Sequence, residues 1–342
     1  MVLYFDPLII EHARVVSGIS GGYVEHGVYR PDGTSVLNGM LVQGDKIMQG
    51  RASLDVLNQI TDLVEGHYVY GGCVYGHFGH LLLETCARLS VFADFDEPVL
   101  FTSLNHTRDA LFWQFADVVG LPRDRIRIVA APSIVERLCI MPPDFRIRHG
   151  INAPFLRAFE ALADQFAVRH GLRHNSNPVP VYLSRSRLPK GRRYFFGEAL
   201  IEDTLRSQGC DIVYPEEMSL SDQISLAITR SHIIGFAGSA MHTLVFGRGR
   251  KRVTYLSTNP VHINFWLIES LKRNLASEVI VEAQSAQEEN STAGPFLLSC
   301  AGIAAAASVL GKRYTSNDIY QPAYADCVEK YNLARQAMRS NV

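Results

Sequence analysis

The stretches VYLSRSRLPKGRRYFFGEAL (residues 181–200) and IIGFAGSAMHTLVFG (residues 233–247) decide how this chain is read. An apolar run over 179–183 predicts a buried strand leading straight into Ser184, Arg185, Arg187, Lys190, Arg192 and Arg193. A second run, 231–236, predicts a strand that ends in Ala237-Gly238-Ser239-Ala240 and turns into a helix. One strand end carries guanidinium forks, the other a small-residue turn with backbone N–H groups at a helix start. That pairing grips phosphorylated ligands. Arg185 and Arg193, with Lys190, are the expected diphosphate partners. Gly238, Ser239 and Ala240 are the expected N–H donors, Ser239 also capping the helix. Read as a ligand site, this is the diphosphate end of a nucleotide-sugar pocket. The plainer alternatives are a solvated arginine loop and a tight turn.

Outward from these strands the pattern repeats. Strands at 179–183, 211–214, 231–236 and 252–256 alternate with helices at 198–208, 219–229 and 239–246, which predicts a parallel, doubly wound sheet. Upstream, strands at 67–74, 98–102 and 126–130 alternate with helices at 80–92 and 108–119, and residues 20–50 suggest a hairpin turning at Pro31-Asp32-Gly33. A long helix, 153–170, precedes the polar run Arg173-His174-Asn175-Ser176-Asn177-Pro178, the best linker in the chain. The expected fold class is α/β: two doubly wound, Rossmann-like domains facing a cleft, with an N-terminal hairpin region and C-terminal helices. Residues 1–172 form the acceptor-side domain and 173–285 the nucleotide-sugar-binding domain. Residues 286–342 are expected to pack back on the first. Ligands of such sheets sit beyond the carboxyl ends of the strands.

A length of 342 residues suits two domains better than one core. A net charge of −1 gives no global attraction to nucleic acid or anionic membrane, so anion binding must be local. The six cysteines are scattered without paired spacing, which points to a reducing compartment and buried thiols. The N-terminal stretch carries acids and lacks a basic flank, so no signal peptide is expected and the location reads as cytoplasmic. Residues 296–311 are apolar but shorter than the roughly 20 a spanning helix needs. They predict a buried Ala-rich helix and leave peripheral docking, to the inner face of the cell membrane or an assembly complex, open.

A second constellation is Val74-Tyr75-Gly76-His77-Phe78-Gly79-His80, followed by Glu84. On a helix starting near Gly79, His80 and Glu84 share one face. Attack by a sugar hydroxyl needs a general base of near-neutral pKa. His80 is the first choice, with Glu84 orienting it or serving as base, and His77 stands in the loop before them. Structural histidines are the plain alternative. The same residues, with Cys73, also match the two-His-one-carboxylate pattern of non-haem iron. Asp94-Phe95-Asp96 reads as an acidic loop rather than a metal-binding D-x-D. Glu216, in Pro215-Glu216-Glu217 after a strand, is a candidate for base or ribose contact, and His242 faces either the cleft or the core.

The order H-x-L-x-E-x-x-x-R-L (80–89), Y-L-S-R…R-R…E-x-L (182–200), Leu220-Ser221 with Gln223, and G-x-x-G-[SA]-A (235–240) resembles the DUF563, or family-61, glycosyltransferases. These occur in bacterial capsule and exopolysaccharide clusters and as eukaryotic xylosyl- and N-acetylglucosaminyltransferases. The resemblance spans roughly residues 65–257. It implies a GT-B fold, inversion at the anomeric carbon and no catalytic metal or other cofactor. The implied partners are a nucleotide-sugar donor, UDP-linked for preference, and a glycan or glycolipid acceptor. Three positions depart from the family's pattern: Ala237 stands where a His is customary, His242 in the customary Asn region, and Gly197 for the Asn before the motif's Glu. A non-catalytic nucleotide-sugar-binding or scaffold protein is the principal alternative, and a metal-dependent oxygenase using His77, His80 and Glu84 the third.

Overall fold

The computed structural model of the protein describes residues 7–20, 23–48, 52–103, 109–188, 194–286 and 294–339. The chain forms two compact units, Met1–His170 with Trp266–Leu271, and Gly171–Phe265 with Lys272–Val342. Both mix strands and helices, and the fold is α/β.

The first unit is built on a six-stranded sheet. Its strands are β1 (Leu8–Ser20), β2 (Tyr23–Tyr29), β3 (Leu63–Val74), β4 (Val99–Ser103), β5 (Ile126–Val129) and β6 (Ser133–Ile140), in the order β2-β1-β6-β3-β4-β5. The last four run parallel, but β1 is antiparallel to both β2 and β6. The expected antiparallel hairpin thus joins the expected parallel strands in one mixed sheet. The signal of β1 is masked by its own backbone. His12 has φ 51°, and the pairing with β6 skips it. Ile10 therefore faces the core together with Ala13 and Val15, which breaks strict alternation. The longest hairpin is β1–β2, and the chain reverses again, as expected, at Pro31-Asp32-Gly33. There Thr34 N–H donates to Asp32 Oδ1 at 2.8 Å, Gly33 N–H to Arg30 O at 2.9 Å and Arg30 N–H to Thr34 O at 2.8 Å, and an antiparallel bridge joins Tyr29 to Ser35. β1 and β2 fold back over β4, where the Ser17 hydroxyl donates to the Ser103 carbonyl and His26 Nε2 lies 2.7 Å from Thr102 Oγ1. Burial, with Arg88 nearby, pulls the His26 pKa down to about 4, so this histidine is neutral and structural.

The expected single helix over 80–92 is broken into α1 (Phe78–Leu83), a 3₁₀ turn (Thr85–Arg88) and α2 (Val91–Asp94). Two side chains explain the break. The Thr85 hydroxyl donates to Cys73 O at 2.8 Å and accepts from Tyr75 N–H at 2.9 Å, which clamps the chain to the end of β3. Arg88, buried, donates to Met141 O at 3.0 Å and to Asn38 O. Two longer helices, α3 (Asp109–Val119) and α4 (Ala153–His170), complete this unit and bury Phe112, Phe115, Phe155, Phe159 and Phe166.

The second unit carries a five-stranded, wholly parallel sheet. It contains β7 (Val181–Leu183), β9 (Asp211–Val213), β10 (His232–Phe236), β11 (Arg252–Ser257) and β12 (Leu275–Ile280), in the order β9-β7-β10-β11-β12. Numbered along the chain this is 2-1-3-4-5, so the strand order reverses between β7 and β10. Ligands of such sheets bind at that reversal. The sheet's helices include α5 (Glu198–Ser207) and α6 (Leu220–Thr229), the latter capped by Ser219, whose hydroxyl accepts from Asp222 N–H at 3.1 Å.

A smaller three-stranded sheet joins β8 (Phe195–Phe196), β13 (Ala283–Ser285) and β14 (Phe296–Leu298), with β14 in the middle. Phe195 stacks on Phe236 at 4.1 Å and on Phe296 at 5.3 Å, which welds the two sheets together. The expected Ala-rich helix over 296–311 is thus a strand, β14, then a short helix, α7 (Cys300–Ala307), capped by Ser299. α7 packs on α5 and β12, and α8 (Gln321–Arg339) on β8 and β14, all within the second unit. This replaces the expectation that the C-terminal helices return to the first domain. The cause is apolar: Ile303, Ala304 and Ala306 complete the core formed by Tyr182, Ile201, Leu205 and Phe236. Among the described residues no helix is long and apolar enough to cross a membrane.

Candidate active site

Leu183 and Gly235 lie side by side at the carboxyl ends of β7 and β10. A Cβ on Gly235 would stand 2.9 Å from Met241 Sδ and 3.2 Å from Leu183 Cβ, so glycine here permits the close approach of the two strand ends. Just beyond, the chain continues as Ser184-Arg185 on one side and Ala237-Gly238-Ser239 on the other. The Arg185 guanidinium rests directly against Gly238, where an added Cβ would be 2.7 Å from Nη1. The two elements singled out in the sequence therefore converge at the strand reversal. Residues Ser239–Phe246 form a 3₁₀ helix with Gly238 at its N-cap, so Ser239 is its first residue rather than its cap. Its opening N–H groups have no earlier helical carbonyl to bind. A cation and a set of amide dipoles meet at one point, which is the chemistry of an anion site. Gly238→Ala should leave the melting temperature nearly unchanged, because only the tip of a flexible side chain must move. It should weaken inorganic pyrophosphate binding by about tenfold, the effect of spoiling one charge-assisted hydrogen bond. Calorimetric titration with pyrophosphate checks this, and wild-type affinity in the variant would count against the site.

Beneath Arg185 lies an acidic network that sequence reasoning missed. Glu198, on the first turn of α5, is wholly buried. Its Oε1 accepts from the Tyr182 hydroxyl at 2.8 Å, from Arg185 N–H at 2.9 Å and from the Ser184 hydroxyl at 3.4 Å. Glu202, one turn later, accepts from Ser184 at 2.7 Å and from the Tyr214 hydroxyl at 2.8 Å. Burial pushes the Glu198 carboxyl up to about 7, while the Arg185 N–H and Tyr182 hydroxyl bonds oppose that rise. The available signal was the i, i+4 pair of acids on the same helix as Ile201 and Leu205. Gly197, which precedes Glu198, has φ 99°, a conformation open to glycine and next to asparagine. Its replacement of the customary Asn keeps that backbone state.

The remaining candidates separate. Lys190 and Arg193 lie outside the described residues. Arg187 turns away from Arg185: its guanidinium stacks 3.6 Å from the Tyr214 ring centroid and donates to Glu217 Oε2 at 2.6 Å, while its N–H donates to Glu216 Oε1 at 3.1 Å. Glu216 thus fixes the loop after β7 with one oxygen. His242 is buried and stacks on Phe265 at 4.4 Å, facing the core. Ala240 is half-buried in the first turn of the 3₁₀ helix.

In the first unit, the loop leaving β3 brings His77, His80 and Glu84 together. His80 Nδ1 is bonded to Glu84 Oε2, and the other carboxylate oxygen accepts from Gln43 Nε2 at 2.8 Å. The His80 ring stacks on Tyr75 at 5.0 Å and meets the His77 ring edge-on at 5.1 Å. The His80 side chain is 37% exposed and that of Glu84 only 6%. The carboxylate is therefore the inner, fixed member and the imidazole the outer one, its Nε2 being the nitrogen that Glu84 does not occupy. Among the described residues no group of three His, Cys, Asp or Glu side chains is arranged to hold a metal ion. The facial-triad arrangement of His77, His80 and Glu84 is thus not formed, and Asp94 and Asp96 are exposed. Arg88, the basic member of the same motif, is also structural: burial lowers its pKa to about 10, and carbonyls and the Tyr70 ring hold it.

A family model described as Glycosyltransferase 61 matches residues 78–254, just over half of the chain. The match takes in His80, Glu84, Arg185, Glu198 and Gly238. No curated protein matches the chain.

Proposed function

Because the chain belongs to glycosyltransferase family 61 and so transfers a sugar from a donor to an acceptor, we propose that it is an inverting, metal-independent enzyme of GT-B type. Its donor is a nucleotide sugar, UDP-linked for preference, and its acceptor a polysaccharide precursor or glycolipid at the cytoplasmic face of a membrane. The observation that carries this reading is the contact of the Arg185 guanidinium with Gly238 at the strand reversal of the second unit. A nucleoside diphosphate leaves carrying extra negative charge, and Arg185 with the N–H groups of Ser239 and Ala240 meets that charge. In the first unit, His80 takes the proton of the attacking hydroxyl at Nε2 while Glu84 holds Nδ1 and stabilises the imidazolium. The hydroxyl oxygen bonds to the anomeric carbon as the carbon–oxygen bond to the diphosphate breaks, the electron pair departs with the diphosphate, and the configuration inverts. The φ of 99° at Gly197 supports an intact donor site, since glycine there leaves Glu198 and the Arg185 N–H in register.

Two measurements test this. In a thermal-shift panel of UDP-, GDP-, dTDP- and CMP-sugars, a UDP-sugar should give the largest stabilisation, about 2.7 kcal/mol at one hundred times its dissociation constant. Turnover should survive EDTA. Loss of turnover on chelation, restored by a single divalent ion, would overturn the metal-independent mechanism.

A further inference from the structure

Resting on the reading of Arg185 and Gly238 as the diphosphate grip, we propose that Glu198 is a positioning residue that couples this grip to a proton. A diphosphate seats on Arg185 with Glu198 in its neutral form, so binding takes up a proton from solvent. The geometry ties the acid to the grip itself. Glu198 Oε1 accepts from the N–H of Arg185 at 2.9 Å, the residue whose guanidinium lies against Gly238. Its Oε2 is buried and has no hydrogen-bond partner among the described residues. An ionised carboxylate here leaves half its charge without a donor, a costly state that neutralisation relieves.

The groups around Glu198 make the coupling one-sided. From its own helix it faces Glu202, which accepts from Ser184 and Tyr214. From β7 it faces the hydroxyl of Tyr182, and its charge is felt by the phenol of Tyr194, the residue before β8. The sheet and helix packed alongside contribute Phe195, Phe236, Phe296 and Ile303, all apolar. Arg185 is the cation that favours the charged form. An anion on Arg185 cancels that support and adds negative charge beside a second buried acid, so the carboxyl must take a proton. By linkage the reverse holds: protonation of Glu198 tightens the anion.

Calorimetric titration of UDP at pH 7.5, in two buffers of different ionisation enthalpy, reads the proton directly. The wild type should take up at most about three-quarters of a proton per UDP, with affinity falling up to about tenfold per pH unit above neutrality. A terminal phosphate held by cations sheds protons, the opposite sign, so it does not imitate the effect. Glu198→Gln carries a neutral isostere, and its binding should take up no proton and be flat with pH. Tyr182→Phe keeps the acid, removes one of its donors and should retain uptake. Wild-type UDP binding without uptake, or equal uptake in Glu198→Gln, overturns the role of Glu198 and leaves the grip standing. If no nucleoside diphosphate binds the wild type, the grip itself is wrong and the proposal falls with it. Should Glu198→Gln fail to fold, the sign and size of wild-type uptake decide alone.

Discussion

His80→Ala should cut transfer to acceptor by ~10²–10⁴-fold while leaving donor affinity near wild type. A general base acts on the attacking hydroxyl, so its loss is felt in the rate and not in the ground-state hold on the nucleotide. The melting temperature should fall by no more than a typical single substitution, because the ring is part-exposed and its main tie is to Glu84. Glu84→Gln should also slow transfer, by less, since it keeps the size of the group while weakening its hold on the imidazolium. Donor affinity, melting temperature and turnover measured on the same samples decide the matter. Full turnover in His80→Ala would remove this residue from catalysis. Donor binding without turnover in the wild type, across a broad acceptor panel, would favour a scaffold.

Arg185→Ala should weaken nucleoside diphosphate binding by ~1.5–3 kcal/mol, the range for hydrogen bonds to a charged group. Lysine at the same position should recover only part of it, because a point charge cannot reproduce the planar fork lying against Gly238. Without the arginine that favours its charged form, the Glu198 carboxyl stays neutral to higher pH, so the loss should be smaller at high pH than at low. Isothermal titration with UDP at pH 6 and 8 reports both effects. Unchanged affinity for every nucleoside diphosphate would move the site elsewhere.

The second unit's sheet was legible because its inner strands are buried on both faces. Ile233, Ile234 and Phe236 in β10, and Val253, Tyr255 and Leu256 in β11, make nearly continuous apolar runs bounded by turn residues. Its edge strand β12 was not, since Leu275 and Ile280 are half-exposed and the run between them includes Ser277 and Glu278. A short strand inside a longer apolar run shows no period of its own: β14 has three residues and lies inside what reads as one apolar helix. The meeting of Arg185 with Gly238 was legible because each follows directly on a readable strand end. Glu198 was passed over because an acid on an amphipathic helix looks solvated. Only the fold shows that Tyr182 and Ser184, from a strand before it, close over its carboxyl.

The pairing of β8 with β14 has a practical meaning for anyone who would trim this protein. The family match ends at residue 254, yet β8, the two residues immediately before Gly197 and Glu198, is held by β14, some hundred residues further along, and Gly197 itself lies against Leu298 and Ile303. A fragment cut at the edge of the recognisable homology would keep every motif and lose the wall that seats one of them. The boundary drawn by ancestry is not the boundary drawn by folding, and here the tail belongs to the engine.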